Sequence, residues 1–261
     1  MPLFFVIAGF CYSCRDYKSY VRKKFLHLAV PYTAFNLIDM LPRQLLASLV
    51  NRPKPMTESL MRAILRGGEY WFIYTLFIIL MVYPLVFRLT AKNKPLMFGA
   101  GALFLAVSLH GISEDIFLID RVGYYLFFFH AGVMARIFSG GRWPEVKAPV
   151  FVMPVMFWLW LVLLWGVNGG RVFTALAGII TCYLMTGYKL FNDTFSRFGA
   201  YSLQLYLLNF ITLGISRAII CNGLHVNNPA GIVLFNMLVD FFASYMLIKY
   251  VLAKIKSVSF K

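Results

Sequence analysis

The chain has 261 residues, 61% of them hydrophobic and 13% charged, with a mean hydropathy of +0.74. A water-facing surface takes about a quarter charged residues, so a soluble globular protein is excluded and the fold class expected is an all-α, polytopic membrane helix bundle. Twenty-five Lys and Arg against ten Asp and Glu give +15; in a membrane chain that excess records orientation, and no nucleic-acid partner is expected.

Apolar stretches near the length of a bilayer crossing predict about nine transmembrane helices. They are Pro2–Cys14, Phe25–Leu41, Tyr70–Phe87, Leu96–His110, Val122–Phe138, Val150–Val167, Val172–Leu190, Ala200–Cys221 and Ala230–Val251. The first is short, and the fourth is glycine-rich. Neither a soluble domain nor an internal repeat interrupts them, so residues 1–261 read as one membrane-embedded domain. Only the connection 42–69 is long. After Pro53 and Pro55 it carries Leu60, Met61, Ile64 and Leu65 at helical spacing, with Arg62 and Arg66 nearby. That stripe predicts a short helix over Met56–Arg66 lying in the outer membrane interface.

Alternating the loops from a cytoplasmic 15–24 puts most cations inside: Arg15, Lys18, Arg22, Lys23, Lys24, Arg88, Lys92, Lys94, Arg136 and Arg142 among them. By the positive-inside rule, Met1 is then outside and Lys261 cytoplasmic. Arg217 and Asp240 are full charges within spans; a pairing between them would relieve the cost of both, and snorkelling of Arg217 to the outer headgroups is the alternative. Cys11 and Cys14 form a C-x-x-C, without the second pair a zinc site needs or the βαβ setting of a redox motif. They read as buried or interfacial thiols, and no metal site is expected.

Four stretches together resemble the acyltransferase-3 family of integral-membrane O-acyltransferases, including its fucose-4-O-acetylase-like branch. MPLFFVIAGF (1–10) is similar to that family's second helix, and RKKFLHLAVPY (22–32) to the basic cluster and Leu-x-x-Pro-Tyr that open the third. EYWFIYTLF (69–77) is similar to the start of the fourth helix, and GAYSLQLYLLN (199–209) to a late Gly-x-x-Ser-x-x-x-Tyr-Leu-Leu-His helix. The resemblance covers nearly the whole chain. It implies a fold of about ten helices in the inner (cytoplasmic) membrane. It further implies acyl transfer, usually of acetyl, from cytoplasmic acetyl-CoA to a sugar hydroxyl of a surface glycan or its lipid-linked precursor. No permanently bound cofactor is implied; acetyl-CoA is the donor. The resemblance also places the family's first helix and its catalytic histidine upstream of Met1, so the chain is expected to be incomplete for catalysis. His27 stands where the family has the second basic residue of an Arg-x-x-Arg pair, and Asn209 where a histidine is common.

Under this reading, Arg22, Lys23, Lys24 and His27 are candidates for the CoA phosphates, with lipid headgroups as the alternative target. Glu69, Tyr70, Trp71 and Arg121 are candidates for the acceptor; an aromatic belt and an Asp120–Arg121 interfacial pair are the plainer accounts. His130 and Asn209 lie about 12–14 Å into their helices at 1.5 Å per residue. They are candidates for the catalytic chemistry or for hydrogen bonds between helices. Ser202 and Tyr206 share a helical face with Asn209 and are further acceptor-side candidates. A non-catalytic remnant and a transporter or flippase-like protein are the alternative functions, although the paired broken helices of many transporters are not seen.

Overall fold

The structure, a computed structural model, describes residues 1–14, 16–45, 56–90, 93–110, 116–142, 171–185, 202–218 and 229–250, with short helical pieces between 154 and 162. Ten helices of eight or more residues lie among them: α1 (Pro2–Phe10), α2 (Tyr17–Lys24), α3 (Val30–Leu45), α4 (Met56–Arg66), α5 (Trp71–Thr90), α6 (Lys94–His110), α7 (Ile119–Phe138), α8 (Arg171–Met185), α9 (Ser202–Ala218) and α10 (Pro229–Tyr250). No strand occurs among the described residues. One helical stretch among them, within Met56–Thr90, is long and apolar enough to cross a membrane, and Lys94–His110 and Val172–Tyr183 are shorter apolar helices.

Two features depart from the sequence expectation. The segment 15–24, read as a loop, contains α2, because Asp16 caps it: its carboxylate accepts the Ser19 N–H at 2.9 Å, satisfying one of the orphan donors of a helix start. The first helix stops at Phe10 rather than Cys14. There the Tyr12 N–H bonds back to the Gly9 carbonyl at 3.0 Å, a tightened last turn that ends the ladder. Between α2 and α3, Phe25–Ala29 winds as a widened π-helical turn. Pro31 follows; its ring clashes with the carbonyl four residues back, which is that of His27, and it has no N–H to give.

The chain groups into two compact units: Met1–Lys24 with Tyr74–Phe195, and Phe25–Ile73 with Ser196–Lys261. In the first unit α1 packs along α7 at close range. Gly9 lies on the Phe129 carbonyl and Gly132 on the Val6 carbonyl, with no room for a Cβ at either. Small residues of this kind let membrane helices approach backbone to backbone. Phe5 stacks on Tyr125 at 4.3 Å between ring centroids. In the second unit α9 pairs with α10, fastened by Ser216 Oγ donating to Asn236 Oδ1 at 2.7 Å, both residues buried. The side chains of Arg217 and Asp240, and Cys221, lie outside the described residues, and with them both the pairing and the snorkelling of Arg217.

Candidate functional site

In the first unit an aromatic knot forms where α1 ends. The Tyr12 ring meets Tyr20, Tyr83, Phe87 and Phe129 edge-on at 5.9, 5.1, 5.4 and 5.8 Å, tying α1, α2, α5 and α7 together. Cations ring this knot. Lys24 Nζ sits 5.7 Å above the Tyr20 ring, and the Arg88 guanidinium lies at the same distance from the Tyr17 ring. Arg136 donates from Nη1 to the Tyr12 carbonyl. Arg22 and Lys23 are exposed, while Lys24 is half-buried. Burial pushes the Lys24 ammonium down from the ordinary lysine value, partly offset by nearby Cys11. It also pushes the Tyr20 hydroxyl up, so no phenolate competes for these cations. Sequence reasoning singled out Arg22, Lys23 and Lys24 but read Arg88 and Arg136 only as markers of orientation. His27 falls in the second unit and is exposed.

His130 is buried, with 1% of its surface exposed. Its Nε2 faces the Met97 carbonyl at 3.0 Å and its Nδ1 the Tyr83 hydroxyl at 2.8 Å. A carbonyl only accepts, so Nε2 carries a proton and, in the neutral ring, Nδ1 accepts from Tyr83. Gly101 leaves room for the ring, since a Cβ there would lie 3.3 Å from His130 Cδ2. Both nitrogens are therefore engaged between α5, α6 and α7, the helix-to-helix hydrogen bonding that was one of the two accounts of this residue. Arg121 is half-buried at the start of α7, within electrostatic reach of Tyr125 together with Asp120.

The second unit gathers the acceptor-side candidates. Between α4 and α5 the chain turns through Gly67 and Gly68, at φ of +67° and +54°, a region open to glycine at no steric cost. Glu69 and Trp71 follow, both half-buried, with Tyr70 fully buried between them. The Tyr70 ring meets Phe35 of α3 at 6.4 Å and Tyr206 of α9 at 6.3 Å; Phe72 meets Tyr206 at 5.4 Å. Ser202 and Asn209 are half-buried one turn to either side of Tyr206. The same face of α9 continues to the buried Thr212 and Ser216, where it becomes ordinary packing against α10.

Sequence reasoning passes over two residues of this unit, Asn36 and Asp39 of α3. Each is 8% exposed. Asn36 Nδ2 donates to the Tyr32 carbonyl at 2.8 Å, and the Tyr32 hydroxyl donates to the Ala63 carbonyl of α4 at 2.6 Å. The signal that could have found them is the spacing Tyr32, Asn36, Asp39, one helical face at i, i+4 and i+7.

The family model described as an acyltransferase domain, acyltransferase-3, matches residues 1–249. No curated protein and no solved structure matches the chain.

Proposed function

The chain belongs to the acyltransferase-3 family, a family of membrane acyltransferases with an acyl donor and an acceptor substrate, and on that premise we propose that it serves O-acetyl transfer from cytoplasmic acetyl-CoA to a sugar hydroxyl of a surface glycan or its lipid-linked precursor. The observation that carries the donor half of this reading is the pair of cations held over aromatic rings beside the Tyr12–Tyr20 knot. Lys24 lies over the Tyr20 ring and Arg88 over the Tyr17 ring, and Arg22 and Lys23 are exposed on α2 beside them. Nucleotide-bearing thioesters need that combination, because phosphates pair with guanidinium and ammonium groups and an adenine ring stacks on tyrosine. His27 belongs to the donor set by resemblance.

The acceptor half draws on the second unit. Glu69, Trp71 and Tyr206, backed by the buried Tyr70 ring and flanked by Ser202 and Asn209, combine half-buried aromatic rings with a few polar groups, the usual make-up of a small-molecule site. Arg121 is the acceptor-side candidate of the first unit. Transfer makes a bond from the acceptor oxygen to the acyl carbon and breaks the carbon–sulfur bond, with CoA leaving as the thiol. His130 takes no part in that step in this account, since its lone pair is already held by Tyr83.

The test is donor binding. Replacing Arg22, Lys23 and Lys24 together by Gln is expected to weaken acetyl-CoA binding to the detergent-purified protein by ~10-fold or more, about 1.4 kcal/mol. An unchanged affinity at low and high salt would leave these cations with a topological role alone.

A further inference from the structure

We propose that Asp39, with Asn36 one turn before it, recognises the acceptor, its carboxylate taking a hydrogen bond from a sugar hydroxyl; this inference rests on the reading of the protein as an acyltransferase acting on a glycan. Asp39 is 8% exposed on a helix whose outward side chains, Leu37 and Ile38 among them, are exposed and apolar. An ionisable residue on such a helix faces protein or a polar cavity and marks a substrate path by default. Its direction follows from its neighbours. Tyr32 and Asn36 lie on the same face, and both are fixed: Tyr32 on the Ala63 carbonyl of α4, Asn36 against Gly68. The face that carries Asp39 is therefore turned toward α4 and the Gly67–Gly68 turn. That turn leads directly into Glu69, Tyr70 and Trp71, and Phe35, on the same helix, meets the Tyr70 ring.

A carboxylate, a fixed amide and a group of aromatic rings are what a sugar needs. Hydroxyls donate to the carboxylate and the apolar ring face lies on aromatic carbon. The carboxylate also supplies what an aromatic surface lacks. An apolar pocket discriminates poorly over a single hydroxyl, whereas a site built to hydrogen-bond it rejects the analogue without it by several powers of ten. Asp39 is the source of that selectivity.

The experiment measures transfer from acetyl-CoA to a panel of methyl hexosides and their monodeoxy analogues, in membranes containing the full protein. The wild type should prefer one glycoside over one of its deoxy analogues by ~100-fold or more in kcat/KM. Asp39→Asn should lower kcat/KM for that glycoside toward the value for the deoxy analogue, mainly through KM, and leave acetyl-CoA affinity unchanged. Asp39→Glu, which keeps the charge and moves it by one methylene, should fold and retain partial selectivity. Equal losses on the parent and every analogue, or a loss of kcat alone, would overturn the role of Asp39. Transfer to no glycoside by the wild type would overturn the acyl-transfer reading, and this inference with it.

Discussion

The Tyr83 hydroxyl and His130 Nδ1 stand 2.8 Å apart in the buried interior of the first unit, while the opposite ring nitrogen gives its proton to the Met97 carbonyl. The pair makes α5, α6 and α7 one hydrogen-bonded assembly. Tyr83→Phe leaves a buried nitrogen unsatisfied and should cost about 1–3 kcal/mol. His130→Ala, which opens a cavity as well, should cost more. Thermal unfolding in detergent measures both. Transfer per folded molecule should be little changed in Tyr83→Phe; a loss of several powers of ten there, with normal stability, would make the pair part of the chemistry.

Glycines separate close packing from open surface. Gly9→Ala and Gly132→Ala each drive a methyl into the backbone of the facing helix, so both should greatly reduce the yield of folded, monodisperse protein in size-exclusion chromatography. Gly99→Ala meets nothing within 4 Å and should be neutral, or stabilising by up to about 1 kcal/mol through helix propensity. Equal effects at all three would contradict the α1–α7 packing.

Gly68→Ala strains a left-handed residue, at about 1–2 kcal/mol, and brings a Cβ to 3.0 Å from Asn36 Oδ1. The expected outcome is a lower unfolding midpoint together with a raised acceptor KM. A changed midpoint with unaltered acceptor kinetics would separate the turn from the site.

Lys24 gives donor binding a pH dependence. Its ammonium is pushed down from the ordinary lysine value by burial, so it loses its charge at a lower pH than an exposed lysine. The sign for binding is that phosphate affinity falls as pH rises through that depressed value. The sign for stability is opposite: the unfolded chain holds this proton more tightly, so its burial penalty is relieved as pH rises. Lys24→Arg should abolish the alkaline loss of acetyl-CoA affinity, followed by titration calorimetry. A loss unchanged in that variant would assign it to another group.

Much of the helical layout is legible in the sequence. The apolar stripe Leu60, Met61, Ile64 and Leu65 marks α4 with the bounds Met56–Arg66 that the structure gives. Tyr70 and Tyr206 stand among the acceptor-side candidates through quoted stretches far apart in the chain, and the structure brings their rings together. Two kinds of residue escape. α2 is too polar to register as a span, and only the capping geometry of Asp16 reveals it. Arg136 reaches a carbonyl 124 residues away, a contact that no local pattern encodes, so its charge reads as loop topology. Asn36 and Asp39 are hidden differently, because an apolar average over Phe25–Leu41 conceals one polar face.

The central claim, acyl transfer to a sugar hydroxyl, is tested most directly by the base-labile acetyl content of the surface glycans in cells with and without the gene. The account predicts that ester-linked acetyl disappears from one glycan when the gene is deleted, returns when it is restored, and returns only weakly with the Arg22, Lys23 and Lys24→Gln variant. Identical acetyl content in all glycans with and without the gene would contradict it.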